Sequence, residues 1–160
     1  AGMGMTDNML LKTYTRGKGP MVDRAPARKM AEELVEKLDI VTAGIEAPVR
    51  MMSGGNVQKV LLGREIESNP DLLITADPVR GLDINSSYLV YDLLNEQKEK
   101  GVAVVYIGED LDVLLQLCVR IIVLCHGRVT GDVSAQSVSK EQIGLMMTGE
   151  SAQEVLEYGS

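Results

Sequence analysis

The chain contains no tryptophan and no phenylalanine, and its five tyrosines make an aromatic share of only 3%. Leu, Val, Ile and the nine methionines must therefore fill the interior. Basic residues are also scarce, 16 Lys and Arg against 23 Asp and Glu, for a net charge of −7. That balance argues against nucleic acid or an anionic membrane as a partner. Long apolar runs are missing: Arg120 interrupts the stretch from Leu111 to Cys125, so no segment is expected to span a bilayer. No secretory leader is visible. The two cysteines, Cys118 and Cys125, lack C-x-x-C spacing and sit among apolar residues, which suits buried reduced thiols better than a disulfide. A cytoplasmic location follows. The single histidine, His126, precedes a glycine between two strand-like runs and reads as an exposed turn residue rather than a catalytic group or metal ligand. No G-x-x-x-x-G-K-[ST] phosphate loop occurs. The only Gly-Lys pair, in Gly17-Lys18-Gly19-Pro20, has no strand or helix pattern around it and reads as a surface loop.

What is present is ordered. A chain of 160 residues, 45% of them hydrophobic, can bury the core of one α/β domain. Asp23 to about Ile40 has helical spacing, with Pro26 in the first turn and Met30, Ala31, Leu34, Val35 and Leu38 on one face. Ser53-Gly54-Gly55-Asn56 then opens a helix with Val57, Val60, Leu61 and Ile66 as its apolar positions and Gln58, Lys59, Arg64 and Glu65 as polar ones. A helix start carries free N–H groups and the positive end of the dipole, so a hydroxyl and two glycines there can make a phosphate-binding corner. The same tripeptide is also an ordinary turn into a helix. Leu72-Leu73-Ile74 predicts a buried strand with polar chemistry at its C-terminal end, at Thr75-Ala76-Asp77-Pro78. Gly81-Leu82-Asp83 leads into a helix from about Asn85 to Lys100, striped by Leu89, Val90, Leu93 and Leu94. A second buried strand, Val102–Ile107, ends at Gly108-Glu109-Asp110, and a helix over Leu111–Cys118 follows. Ile121–Cys125 and Arg128–Val133 read as a hairpin turned at His126-Gly127. Ile143, Met146 and Met147 suggest a short helix, and Ser151 with Glu154 a capping box for a last turn through Tyr158.

This order resembles the C-terminal half of an ATP-binding-cassette ATPase, over about Asp7 to Gly149. Met52-Ser53-Gly54-Gly55-Asn56-Val57-Gln58 is similar to the family's signature motif, with Met for the usual Leu and Asn for the usual Gln. Leu72 to Pro78 is similar to the Walker B strand, Gly81-Leu82-Asp83 to the D-loop, and Tyr106 to Leu111 to the switch-histidine loop. Pro78-Val79-Arg80-Gly81-Leu82-Asp83 and the ending Ile143-Gly144-Leu145-Met146-Met147-Thr148-Gly149 resemble the second, degenerate cassette of tandem ATPases that drive import of simple sugars and nucleosides.

The resemblance implies a truncated P-loop NTPase core with a parallel sheet, a C-terminal β-hairpin and part of the helical subdomain. Residues 1–55 would be helical subdomain and linker, 56–149 the C-terminal half of the cassette core, and 150–160 a tail. It implies nucleotide contacts from Ser53, Gly54, Gly55, Asn56, Gln58 and Asp83, with ATP and magnesium bound in the full assembly. It also exposes departures. The usual Walker B Asp-Glu pair, which orients magnesium and polarises the attacking water, is Ala76-Asp77 here, and Glu109 stands at the switch-histidine position. Ala76 offers no oxygen, Asp77 is one methylene short, and an ionised Glu109 adds negative charge beside a polyphosphate. Each carboxylate alone also suits a turn cap or a solvated strand end. No catalytic set is intact and no metal site is read. The chain is expected to begin inside a domain, downstream of the phosphate loop and Q-loop, and to bind no nucleotide tightly alone. Its expected partners are the first cassette of the same polypeptide and a transmembrane permease that places it at the inner face of the membrane. A binding or regulatory module of cassette shape that never meets ATP is the alternative. In the family fold the phosphate-loop strand lies between Val102–Ile107 and Ile121–Cys125. Those two strands are accordingly expected to pair directly or to share strands in a homodimer.

Overall fold

The computed structural model describes residues 2–14 and 22–158, so the Gly17–Pro20 stretch lies outside the described residues. The chain divides into two units, residues 1–105 and 106–160.

In the first unit, α1 (Met5–Thr13) buries Met5 and Met9 completely. Its first turn is pinned by the Ile45 carbonyl, which accepts from Met5 N–H at 2.7 Å. Helix α2 (Ala25–Lys37) starts where Asp23 caps the Ala25 N–H at 2.9 Å and Pro26 stands in the first turn. It stops short of Ile40 because Asp39 takes a left-handed φ of 47°. Ala31, Leu34 and Leu38 are buried as the spacing predicts, Met30 and Val35 only partly, and Ala27 joins the buried face. A short 3-10 turn, Val49–Met51, delivers the chain to α3 (Gly54–Glu67). Gly63 lets α3 approach α2 closely, since a Cβ there would stand 2.7 Å from Leu34 Cδ2. Val60 and Ile66 are buried, but Leu61 is exposed and Lys59, read as a polar face residue, is only 8% exposed.

Strand β1 (Leu72–Ala76), helix α4 (Ile84–Glu99) and strand β2 (Ala103–Ile107) form one parallel crossover unit, with β2 reaching across the boundary between the two units. Val90, Leu93 and Leu94 are the buried stripe of α4. Gly101, at φ 85°, ends that helix, and Val102 N–H closes back on the Gln97 carbonyl. The two strands are not buried on both faces as expected. Leu73 is buried, whereas Leu72, Ile74, Val105 and Ile107 are exposed. Strand side chains alternate, so one face meets the core and the other is bare.

In the second unit, Asp110 caps α5 (Leu111–Leu117), and β3 (Arg120–Cys125) pairs antiparallel with β4 (Arg128–Ser134). The two-residue turn between them has positive φ at both positions, 48° at His126 and 75° at Gly127, as a hairpin of this kind requires. His126 is exposed. Helix α6 (Lys140–Met147) has a Ser139–Gln142 capping box. Ser151 and Glu154 make the expected second one ahead of α7 (Ala152–Tyr158). Ile121, Val123, Val133, Ile143 and Met146 centre this unit's core.

Three further expectations are corrected. Among the described residues the strands form two two-stranded sheets, β1 with β2 and β3 with β4, so of the two expected outcomes the direct pairing of β2 with β3 is not made. The crossover through α4 commits β2 to β1, and the tight turn commits β3 to β4. Cys118 and Cys125 are in no disulfide but are half-buried rather than buried. Methionine fills the core only in part: Met5, Met9 and Met146 are fully buried, while Met3, Met51 and Met147 are exposed.

Candidate functional site

The start of α3 is built by three neighbouring segments of the first unit. Ser53, extended at φ −63° and ψ 156°, is the N-cap. Its Oγ accepts from the Asn56 N–H at 3.4 Å and from Asn56 Nδ2 at 2.9 Å, and its carbonyl accepts from Val57 N–H. Helix geometry leaves the N–H groups of Gly54 and Gly55 without an intrahelical acceptor. Gly54 is exposed, and a Cβ built on it would meet no atom within 4 Å. Gly55 differs, because its Cβ would stand 3.0 Å from Leu82 Cδ2. A side chain at Gly55 would therefore press on Leu82, which must give by a few tenths of an ångström where α3 meets the Gly81-Leu82-Asp83 turn.

Asp83 caps the next helix. It accepts from Ser86 N–H at 3.0 Å and from Ser86 Oγ at 2.7 Å. The Ser86 hydroxyl, then the Ser86 amide and more weakly the Lys59 charge, hold the Asp83 carboxyl below the usual carboxylate range. Lys59 is buried along its stem and donates from Nζ to the Asp39 carbonyl at 3.2 Å. Val41 N–H, two residues on, donates to Asn56 Oδ1 at 3.0 Å. Ser53, Gly55, Asn56, Lys59, Asp83 and Ser86 thus line one pocket of about 330 Å³.

Of the residues singled out from sequence, Ser53, Gly55, Asn56 and Asp83 are brought together at this pocket, whereas Gly54, the exposed first residue of α3, does not line it. Gln58 does not line it; its Oε1 is buried without a hydrogen-bond partner. Ala76 is the exposed last residue of β1. Asp77 is exposed at φ 44°, and its carbonyl closes the following turn by accepting from Arg80 N–H at 3.1 Å. Glu109 is exposed and belongs to the other unit. Lys59, Ser86 and the Asp39–Val41 segment were not anticipated. Lys59 had one available signal, its i+3 spacing from Asn56, which puts both on one helix face.

Chemically the corner offers an anion a hydroxyl, two uncommitted amides and the positive end of a 14-residue helix, while the largely buried Lys59 cation is set against Asp39 and Asp83, which line the same pocket. It therefore suits the phosphate end of a nucleotide. No group of three His, Cys, Asp or Glu among the described residues could hold a metal ion. Among the same residues, no helix is long and apolar enough to cross a membrane.

No family model matches the chain. Individual proteins do. The chain is 37% identical over 147 residues to the xylose import ATP-binding protein XylG of Moorella thermoacetica, covering 92% of this chain and 29% of that protein. It is 35% identical over 151 residues to the guanosine import ATP-binding protein NupO of Bacillus subtilis, covering 92% and 30%. The ribose import ATP-binding protein RbsA of Corynebacterium glutamicum is 33% identical over 143 residues, with 89% and 27% covered. The chain thus spans about three tenths of the length of the curated relatives it matches. Among solved structures, the dimeric bacterial ABC transporter cassette MJ0796 superposes with a TM-score of 0.71 at 24% identity, covering 85% of this chain and 58% of that one. An ATP-binding subunit of an ABC transporter superposes with a TM-score of 0.70 at 21% identity, covering 98% and 62%. These two likenesses speak for the fold.

Proposed function

The chain belongs to the ATP-binding-cassette transporter ATPases, with relatives among sugar and nucleoside import ATP-binding proteins, and from that premise we propose that its Ser53–Gly55 corner completes an ATP site on a partner cassette. The chain is then the C-terminal part of the second cassette of a tandem importer ATPase for simple sugars or nucleosides. Its own half-site is degenerate at Ala76, Asp77 and Glu109. The partner is the first cassette of the same polypeptide, and a permease holds the pair at the inner face of the membrane. Residues 1–55 serve as helical subdomain and linker, 56–149 as cassette core and 150–160 as a tail.

One observation carries this reading. The start of α3 is capped internally through Ser53, yet Gly54 is exposed and, beyond its chain neighbours and the helix's own backbone, no described atom comes within 4 Å of where a side chain would begin. Glycine costs a helix about 1 kcal/mol relative to alanine, so an unneeded glycine is explained by something outside the chain that approaches the backbone. In hydrolysis a water oxygen joins the γ-phosphorus as its bond to the β–γ bridging oxygen breaks and ADP leaves, and the negative charge on the γ-phosphate oxygens is what must be stabilised. Toward it, Ser53 donates its O–H, Gly54 and Gly55 donate their N–H groups, and the helix dipole opposes the negative charge. The donors are fixed before the ligand arrives, which is the condition for electrostatic stabilisation without reorganisation. Asp83 and Ser86 do not donate to the phosphate; they fix the turn that carries Leu82 against Gly55. No step runs through magnesium on this chain, since the residue set at Ala76 does not fit it.

The test is Ser53→Arg or Gly54→Asp in the assembled importer. Either should abolish hydrolysis at the opposite site, by bulk or by negative charge at the donors. Unchanged turnover refutes the assignment. A cassette-shaped module without hydrolysis is the second reading. It is favoured only by the loss of oxygen ligands at Ala76, and it predicts that those variants leave ATP turnover untouched.

A further inference from the structure

A serine hydroxyl is ambiguous chemistry, with one O–H donor beside two acceptor lone pairs. Toward an anion only the donor is useful. The hydrogen bonds around Ser53 remove that ambiguity. Asn56 Nδ2 donates to Ser53 Oγ at 2.9 Å, and the Asn56 backbone N–H approaches the same oxygen at 3.4 Å. Both acceptor directions of Oγ are thereby spent on Asn56, and the O–H is what remains for a group outside the chain. The orientation of the Asn56 amide is set in turn. Val41 N–H donates to Oδ1 at 3.0 Å, so the carbonyl end faces Val41 and the NH₂ end faces Ser53. The Val41 segment is itself held in place: Asp39 makes its left-handed turn, and the largely buried Lys59 donates to the Asp39 carbonyl at 3.2 Å.

We propose that Asn56 is a positioning residue which, through the relay Val41 N–H, Asn56 amide, Ser53 hydroxyl, commits Ser53 to act as a donor toward an anionic phosphate oxygen. The proposal rests on the reading of the Ser53 corner given above and adds how that corner is set. Hydrogen bonds arranged in series polarise one another, so a relay anchored at Val41 also makes the Ser53 O–H a better donor than an isolated serine. Aspartate at position 56 has the same size and separates the two ends of the relay. It still accepts from Val41 N–H, but its second oxygen accepts where the NH₂ donated. The Ser53 proton then turns inward to the carboxylate, and a lone pair faces the phosphate. Leucine at the same position removes both ends of the relay.

Four forms of the assembled importer test this: the parent, Asn56→Asp, Ser53→Ala and the double variant, each assayed for ATP hydrolysis at the site that Ser53 faces. A hydrogen bond to a charged group is at stake, so Asn56→Asp should lower kcat/KM by about tenfold or more. In the Ser53→Ala background the same change should add no more than about twofold, because no hydroxyl is left to turn. An equal loss in both backgrounds means that the carboxylate acts through its charge alone, and overturns the proposal. Unchanged hydrolysis in Ser53→Ala overturns the reading of the corner, and the relay with it. A second measurement needs no nucleotide. Amide exchange at Val41 in the chain itself should be about tenfold faster in Asn56→Leu, which loses the bond, and within about twofold of the parent in Asn56→Asp, which keeps it. Equal exchange in the parent and Asn56→Leu shows that Asn56 does not hold Val41, and overturns the relay.

Discussion

Helix α3 contains two glycines whose substitution by alanine is expected to have opposite effects on stability. At Gly54 an added Cβ meets nothing within 4 Å, and the residue already has helical backbone. Alanine there removes conformational freedom from the unfolded chain without strain, a gain of about 0.5–1 kcal/mol. For a chain of this size that raises the unfolding midpoint by roughly 1–4 °C. At Gly63 the same Cβ would stand 2.7 Å from Leu34 Cδ2 and 3.1 Å from Leu38 Cδ1. Both leucines are buried, at 2% and 1% exposure, so neither can swing into solvent. Overpacking of this kind costs roughly 1–3 kcal/mol, which offsets or exceeds the helix-propensity gain of about 1 kcal/mol. Thermal and urea unfolding of the two variants, with unchanged m-values, reads both signs. On the reading proposed above, Gly54→Ala should also lower hydrolysis at the site this corner faces, because the residue keeps its N–H but its methyl group stands where a phosphate would approach the backbone. A Gly54→Ala chain less stable than the parent would refute the reasoning, because the glycine would then serve an internal need and would no longer speak for an outside ligand.

Two other outcomes are expected. Isothermal titration of the chain with ATP and magnesium should show neither micromolar binding nor turnover, because the sequence holds no phosphate loop and, on the reading proposed above, Ala76 and Glu109 stand where a metal ligand and a switch histidine would be needed; either result would sink the degenerate-site reading. Light scattering should give the mass of a homodimer, since β2 and β3 each pair with a single strand and an unmet backbone group costs about 1–3 kcal/mol when buried; a monomer at every concentration would show that these edges tolerate water.

Most element positions were legible because each rests on local chemistry. Pro26 after Asp23, Asp83 before Ser86, Asp110 before Val113 and the His126-Gly127 turn are signals in which the side chain that starts or stops the element lies within three residues of it. Strand burial was not legible in the same way. Leu72-Leu73-Ile74 and Val102–Ile107 are continuous apolar runs, and such runs belong to strands covered on both faces. In this chain only one face is covered, which no property of five consecutive residues can report. Lys59 illustrates the same limit on a helix. Its polarity predicts solvent, but the Asp39 carbonyl, turned toward it by a left-handed residue twenty positions earlier, gives the ammonium a partner and lets the stem be buried.

The candidate site divides along that line too. Ser53 as cap and Asp83 as cap are i, i+3 relations and could be read directly. The closeness of the two caps could not. It depends on Gly55 meeting Leu82, a contact between residues 27 positions apart whose only sequence trace is a glycine that also has a local explanation. Gly54 and Gly55 look alike in sequence and answer different needs, one internal and one unmet within the chain. That difference is what turns a common turn motif into a candidate ligand corner. A family resemblance assigns both glycines the same role, whereas the packing around them separates the one that shapes the corner from the one that keeps it open.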